Sequence, residues 1–230
     1  YLKGTDHEDR LGPERACAQG WISPRAMRNG IIVTVLFACL IGSALLFYAG
    51  WELIIVGLLC VLFAFLYTTG PYPLSYNGWG DVLVIVFFGF VPVGGTYYVQ
   101  ALTWTSDTTV ASLICGLLID TLLVVNNYRD READARSGKR TVIVRFGEKF
   151  GRYLYLMLGV AASLLCFWFF FEGHLFAALL PLLYLIPHVL TWRRMVQIHS
   201  GKKLNSILGE TSRNMLLMGI LLSIGFLIRH

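Results

Sequence analysis

Seven apolar stretches, each near the length needed to cross a bilayer, divide this chain and leave little between them. A helix crossing the ~30 Å hydrocarbon core needs about 20 apolar residues. Residues 30–49, 51–69, 80–103, 109–128, 153–171, 174–192 and 213–229 meet that requirement. Gly50-Trp51 and Glu172-Gly173-His174 leave room only for tight turns. Charged residues make up 14% of the chain, well under the quarter or so of an ordinary soluble domain. The expected fold is all-α, a polytopic membrane helix bundle, with residues 1–230 forming one domain. Its apolar surface is covered by lipid and by other helices rather than by a globular core. Five cysteines, four of them (Cys39, Cys60, Cys115, Cys166) in apolar runs, read as packing residues and not as a disulfide framework.

The basic residues set the orientation. With seven spans, residues 1–29 and the segments after the fourth and sixth spans fall on one side, and they hold 18 of the 19 lysines and arginines. Under the positive-inside rule that side is cytoplasmic and the C-terminus is outside. A missed helix would scramble this asymmetry. The net charge of +5 follows from the same rule. It suits anionic lipid headgroups or a diphosphate better than nucleic acid, because no exposed basic domain exists.

The segment with chemistry in it begins inside the fourth span. If that helix continues past its apolar part, Asn127, Asp130 and Asp134 follow at +3 and +4 on one face, and Asp120 joins the same stripe from within the membrane. Like charges four apart on a helix repel, and a divalent cation removes that penalty. Mg²⁺ is the natural candidate, since it takes hard oxygen ligands and bridges one or two carboxylates to phosphates. Arg131, Lys139 and Arg140 stand nearby to neutralise a diphosphate. The alternative is a solvated helix end whose acids merely balance its bases. A second segment on the same side, Tyr67 to Asp81, carries no basic residue but has four aromatic rings among prolines and glycines. It is either an interfacial aromatic belt with a turn or a cap whose rings face a developing cation. The five histidines are scattered and form no metal-spaced pair.

Asn127-x-x-Asp130-x-x-x-Asp134, followed by Gly138-Lys139-x-Thr141 and Arg145-x-Gly147, resembles the second aspartate-rich motif of the UbiA-type intramembrane prenyltransferases. Lys3-Gly4-Thr5-Asp6, with Arg10-x-Gly12-Pro13 and Gln19-Gly20, looks like the segment just after that family's first such motif. The loop Gly70-Pro71-x-Pro73-Leu74-x-Tyr76-x-Gly78-x-Gly80 is similar to the branch that prenylates 1,4-dihydroxy-2-naphthoate in menaquinone synthesis. The resemblance covers essentially the whole chain. It implies nine spans in the family, so that two helices and the first motif are expected to precede Tyr1.

The resemblance also implies roles. Asp130, Asp134 and Lys139 are the expected catalytic residues. Asn127, Asp130, Asp134 and Asp6 are expected around Mg²⁺; Lys3, Arg10, Arg131 and Lys139 around the diphosphate; and Tyr72, Tyr76 and Tyr128 around an aromatic pocket or cap. The implied substrates are a polyprenyl diphosphate and dihydroxynaphthoate, and the implied setting is a bacterial cytoplasmic membrane. Pyrophosphate leaves, the naphthoate ring carbon attacks the allylic cation, and carbon dioxide is lost. Two rivals stand beside this reading. One is a sister branch acting on another aromatic acceptor, such as 4-hydroxybenzoate or homogentisate. The other is a transporter with an acidic path, against which no inverted repeat is visible.

Overall fold

The computed structural model describes residues 11–228; Lys3, Asp6 and Arg10 lie outside the described residues. Its long helices are α1 (Pro24–Phe47), α2 (Glu52–Thr68), α3 (Gly80–Ala101) and α4 (Ser106–Arg136). After the short α5 (Val142–Phe146) come α6 (Glu148–Phe171), α7 (Leu175–Ile198) and α8 (Leu204–Leu227). Six are long and apolar enough to cross a membrane, and α2 is a shorter apolar helix of 17 residues. The expected all-α, multi-pass bundle is the observed one.

Helix ends differ from the apolar boundaries in an instructive way. The fourth span is expected to stop near residue 128, yet α4 runs to Arg136, and α8 starts at Leu204 rather than near 213. Hydropathy marks where lipid begins, not where backbone hydrogen bonding ends. The extensions are held by packing: Tyr128 on α4 and Leu204 and Ile207 on α8 are fully buried in one apolar cluster with Ile143, Tyr155 and Met195. Starts are set by side-chain caps. Ser23 accepts from the Ala26 amide at 3.2 Å, with Pro24 in the first turn, and Thr105 accepts from Thr108 at 3.2 Å.

Helix α4 is the axis of the bundle. Ile114 and Leu118 meet Ala162, Phe169, Tyr184 and Met218 in a second buried cluster. Against α3 the contact is backbone on backbone. A Cβ on Gly89 would lie 2.5 Å from the Ser112 carbonyl oxygen, and one on Gly116 would lie 2.9 Å from the Ile85 carbonyl oxygen. Glycine at both positions is therefore what lets these helices touch, as small residues do in membranes. Here α3 widens to a π-helix over Ile85–Gly94, around Pro92, which has no N–H to give the ladder. In contrast, α1 and α2 bury no residue.

Helices α6, α7 and α8 share a closed polar network. The Tyr155 hydroxyl is 2.9 Å from Thr211 Oγ1, and the Tyr184 hydroxyl is 2.9 Å from His188 Nδ1. His188 Nε2 is 3.2 Å from the Leu156 carbonyl oxygen. Glu210 accepts from Thr191 at 3.3 Å and pairs with Arg194 at 2.5 Å, while Asn214 donates to Thr191 at 2.9 Å. His188, one of the histidines without a role in the sequence, is fully buried here between two stacked tyrosines.

Candidate active site

The end of α4 is shaped by how it stops. Gly138 takes a positive φ of 75°, Lys139 N–H donates to the Asp134 carbonyl at 2.9 Å, and Gly138 N–H donates to Ala135 at 3.2 Å. That pair of bonds is a Schellman motif, which uses glycine because a side chain disfavours the left-handed region. Its effect is to fold Lys139 back over the last turn. Lys139 Nζ sits 3.3 Å from each carboxylate oxygen of Asp134.

One turn earlier, Arg129 grips Asp130 with two bonds of 2.7 Å. The arginine is itself buried and donates to Asn126 at 2.6 Å and to Asn205 on α8 at 2.7 Å. Asn205 in turn donates to the Leu11 carbonyl at 2.9 Å. Asp130 thus stands on a scaffold of three chain segments, and its carboxylate keeps 27% exposure. Asp134 lies within Coulombic reach of Asp130, Arg129 and Lys139, so two acids and two bases form one cluster. Asn127 is buried on the same helix, seven residues before Asp134.

The Tyr67–Asp81 segment covers this end. Arg140 N–H donates to the Tyr76 carbonyl at 2.8 Å, and Arg145 donates to the Asn77 carbonyl at 2.7 Å. Gly78 has φ 80°, and a Cβ there would meet the Arg140 carbonyl oxygen at 2.9 Å. The loop closes on itself through Ser75 to the Tyr67 carbonyl at 2.6 Å and Asn77 to the Pro73 carbonyl at 2.8 Å. The Tyr67 hydroxyl is within Coulombic reach of Asp81, Asp120 and Asp134. The segment carries no basic side chain of its own and borrows that of Arg145 from its neighbour.

The structure therefore brings Asp130, Asp134 and Lys139 together with Arg129, keeps Asn127 buried on the same helix, and sets the Tyr76 backbone against Arg140. It places others elsewhere. Tyr128, expected at an aromatic pocket, is fully buried in the core and hydrogen-bonds Glu148 at 3.1 Å and Arg152 at 3.0 Å. Arg131, expected on the diphosphate, lies over the Tyr128 ring at 4.6 Å and pairs with Glu148 at 3.4 Å. Glu148 also pairs with Arg152, and with His199 at 3.1 Å. The cause is helical geometry: Arg131 and Tyr128 are three apart on a face turned toward α6, where Glu148 waits. Tyr72 is exposed on the outside of its loop. Arg129, Asn205, Tyr67 and Asp81 were not singled out from sequence for the site. An arginine beside an aspartate gave a weak signal for the first, and the others depend on contacts between distant segments.

The donor set suits Mg²⁺. Among the described residues no group of three or more His, Cys, Asp or Glu side chains makes a metal cage. Mg²⁺ does not need one, because it commonly takes one or two carboxylates and completes its shell with water and phosphate oxygens. Asp130 and Asp134 would be such a pair, and Asn127 would add a neutral oxygen donor.

Residues 5–222 match the model of the UbiA prenyltransferase family. The chain belongs to this family. Among curated UbiA relatives, the 1,4-dihydroxy-2-naphthoate octaprenyltransferase of Haemophilus influenzae is 37% identical over 99% of this chain and 76% of its own length. The enzyme of the same name from Escherichia coli is 39% identical over 72% of this chain and 55% of its own length. That from Mycobacterium tuberculosis is 38% identical, over 72% and 56%. The chain thus spans three quarters of the first relative and little more than half of the other two. No solved structure gives a significant match.

Proposed function

We propose that this protein is an intramembrane prenyltransferase that moves a polyprenyl group from its diphosphate to 1,4-dihydroxy-2-naphthoate, giving demethylmenaquinol, pyrophosphate and carbon dioxide. The observation that carries the reading is the paired-carboxylate end of α4, Asp130 held by Arg129 and Asp134 held by Lys139. It sits under the aromatic loop in a chain whose relatives are named for this reaction.

Asp130, Asp134 and Asn127 would hold Mg²⁺, which when bound supplies positive charge against the diphosphate oxygens. Lys139 supplies a further cation at the same place, on a stem long enough to leave Asp134 for a phosphate. Arg129 fixes the direction of Asp130, so the site is aligned before substrate arrives. Together these groups stabilise the leaving pyrophosphate as the allylic C–O bond breaks. The ring carbon of the acceptor then forms the new C–C bond, and its carboxyl leaves as carbon dioxide. The bundle would keep bulk water from the cation, and Tyr67 and Tyr76 belong to the loop that covers this end. Lys3, Asp6 and Arg10 are proposed to complete the site from the opening segment. The setting is a bacterial cytoplasmic membrane, with the basic end of the bundle facing the cytoplasm.

The test uses protein expressed from its whole gene and kept in membranes. A polyprenyl diphosphate and Mg²⁺ are supplied with dihydroxynaphthoate, 4-hydroxybenzoate or homogentisate in turn, and pyrophosphate and prenylated product are quantified. Equal amounts of both with dihydroxynaphthoate support the proposal. Product with another acceptor alone moves the protein to a sister branch, and none with any acceptor defeats the enzyme reading.

A further inference from the structure

Two carboxyl groups deeper in the bundle are unused by this mechanism. Asp120 on α4 is 1% exposed, and its Oδ1 has no hydrogen-bond partner among the described residues. Asp81, at the start of α3, also has a buried Oδ1 without a partner. The helices run antiparallel, and their contacts fix the register. A Cβ on Gly80 would meet Leu123, and one on Gly116 would meet Ile85. Asp81 therefore falls level with Asp120, within its Coulombic reach. Tyr67, at the end of α2, lies within Coulombic range of both without bonding either unpartnered oxygen. A buried carboxyl oxygen left without a donor is costly in an apolar setting, and a ligand that brings a donor relieves that cost.

We propose that Asp120 and Asp81 form the subsite for the aromatic acceptor, taking hydrogen bonds from its hydroxyl groups. The inference rests on the functional reading above. Chemistry narrows the ligand. The prenyl chain is hydrocarbon and has no donor. The diphosphate is an anion, and the cations that suit it stand at the Lys139 end. The acceptor is the reactant that carries O–H donors. Its own carboxylate is drawn to the cation at the Lys139 end, so the hydroxyl farthest from it, on C4, points toward Asp120. Asp120 lies 14 residues before Asp134 on α4, about 21 Å along the helix. That length accommodates a naphthalene ring beneath a diphosphate with the reacting carbons between.

The test is steady-state kinetics on the whole-gene protein in membranes, comparing wild type with Asp120→Asn and Asp81→Asn. Measured are KM for dihydroxynaphthoate, KM for the prenyl diphosphate, half-saturation by Mg²⁺, and inhibition by 1-hydroxy-2-naphthoate, which lacks the C4 hydroxyl. The expected result is a rise in acceptor KM on the order of tenfold, with donor KM and Mg²⁺ response unchanged. The analogue should inhibit wild type and Asp120→Asn equally, because it cannot make the bond that the variant lacks. If an Asn variant fails to accumulate, Asp120→Glu, which keeps the carboxylate but displaces it, should show the same split. An unchanged acceptor KM in an active enzyme overturns this inference and leaves the function standing. A shifted Mg²⁺ half-saturation also overturns it, by making the pair a metal site. A wild type that prenylates no acceptor removes both together.

Discussion

The bundle holds two polar assemblies built from similar residues, and they differ in whether they are finished. Between α6, α7 and α8, Tyr155, Tyr184, His188, Thr191, Glu210, Thr211 and Asn214 are linked to one another or to backbone, and none of their buried side-chain atoms lacks a partner. Along α4 the acids are handled differently. Asp130 and Asp134 are each held by one cation and keep part of their surface open, while Asp120 and Asp81 have oxygens with no partner. A satisfied network fixes helices in place, and its members gain nothing from a ligand. An unfinished one stores the capacity to bind. Burial alone does not tell the two apart, since His188 and Asp120 are both almost wholly enclosed; the accounting of partners does.

Changes that separate the assemblies give effects of different size. Removing divalent cations with a chelator should abolish prenyl transfer while leaving the thermal melting of detergent-solubilised protein unchanged, with activity restored by added Mg²⁺. A melting temperature that collapses with the metal would assign the cation to the fold instead. Arg129→Gln should act on both properties. It frees Asp130 and breaks the link to Asn205, so activity should fall on the order of tenfold or more, with stability lower by about 3 kcal/mol, the scale for breaking a buried ion pair.

Gly159→Ala touches only the closed network, because its Cβ would collide with the His188 ring. It should lower stability by about 1–3 kcal/mol through overpacking, with KM for both substrates unchanged in the folded fraction. Thr211→Val is the smallest change. Losing its bond to Tyr155 should reduce stability by about 1 kcal/mol without a measurable kinetic effect. A kinetic phenotype in either of the last two would merge the two assemblies into one.

Much of this was legible in the sequence. The apolar stretches gave the helices because lipid leaves the backbone few alternatives. The spacing of Asn127, Asp130 and Asp134, with glycine and lysine at 138 and 139, marked the candidate site because a helix and its Schellman end are local. What was not legible depended on contacts between distant segments. Arg131 reads as a phosphate ligand until Glu148, 17 residues on, is seen to hold it. Tyr128 reads as a cap until α6 closes over it. The importance of Arg129 rests on Asn205, 76 residues away, and the pairing of Asp81 with Asp120 on the glycines that seat α3 against α4.

Prenyl transfer at the carboxylate end of α4 is the proposal on which the rest depends. Its most direct test is product formation by membranes carrying the whole-gene protein, with saturating polyprenyl diphosphate, dihydroxynaphthoate and Mg²⁺, for wild type, Asp130→Ala and Asp134→Ala at matched amounts of folded protein. Wild type should give demethylmenaquinol, quantified as its quinone after air oxidation of the extract, with a loss on the order of a hundredfold or more in each variant. Undiminished product from either variant would contradict it and move the chemistry away from this end of the helix.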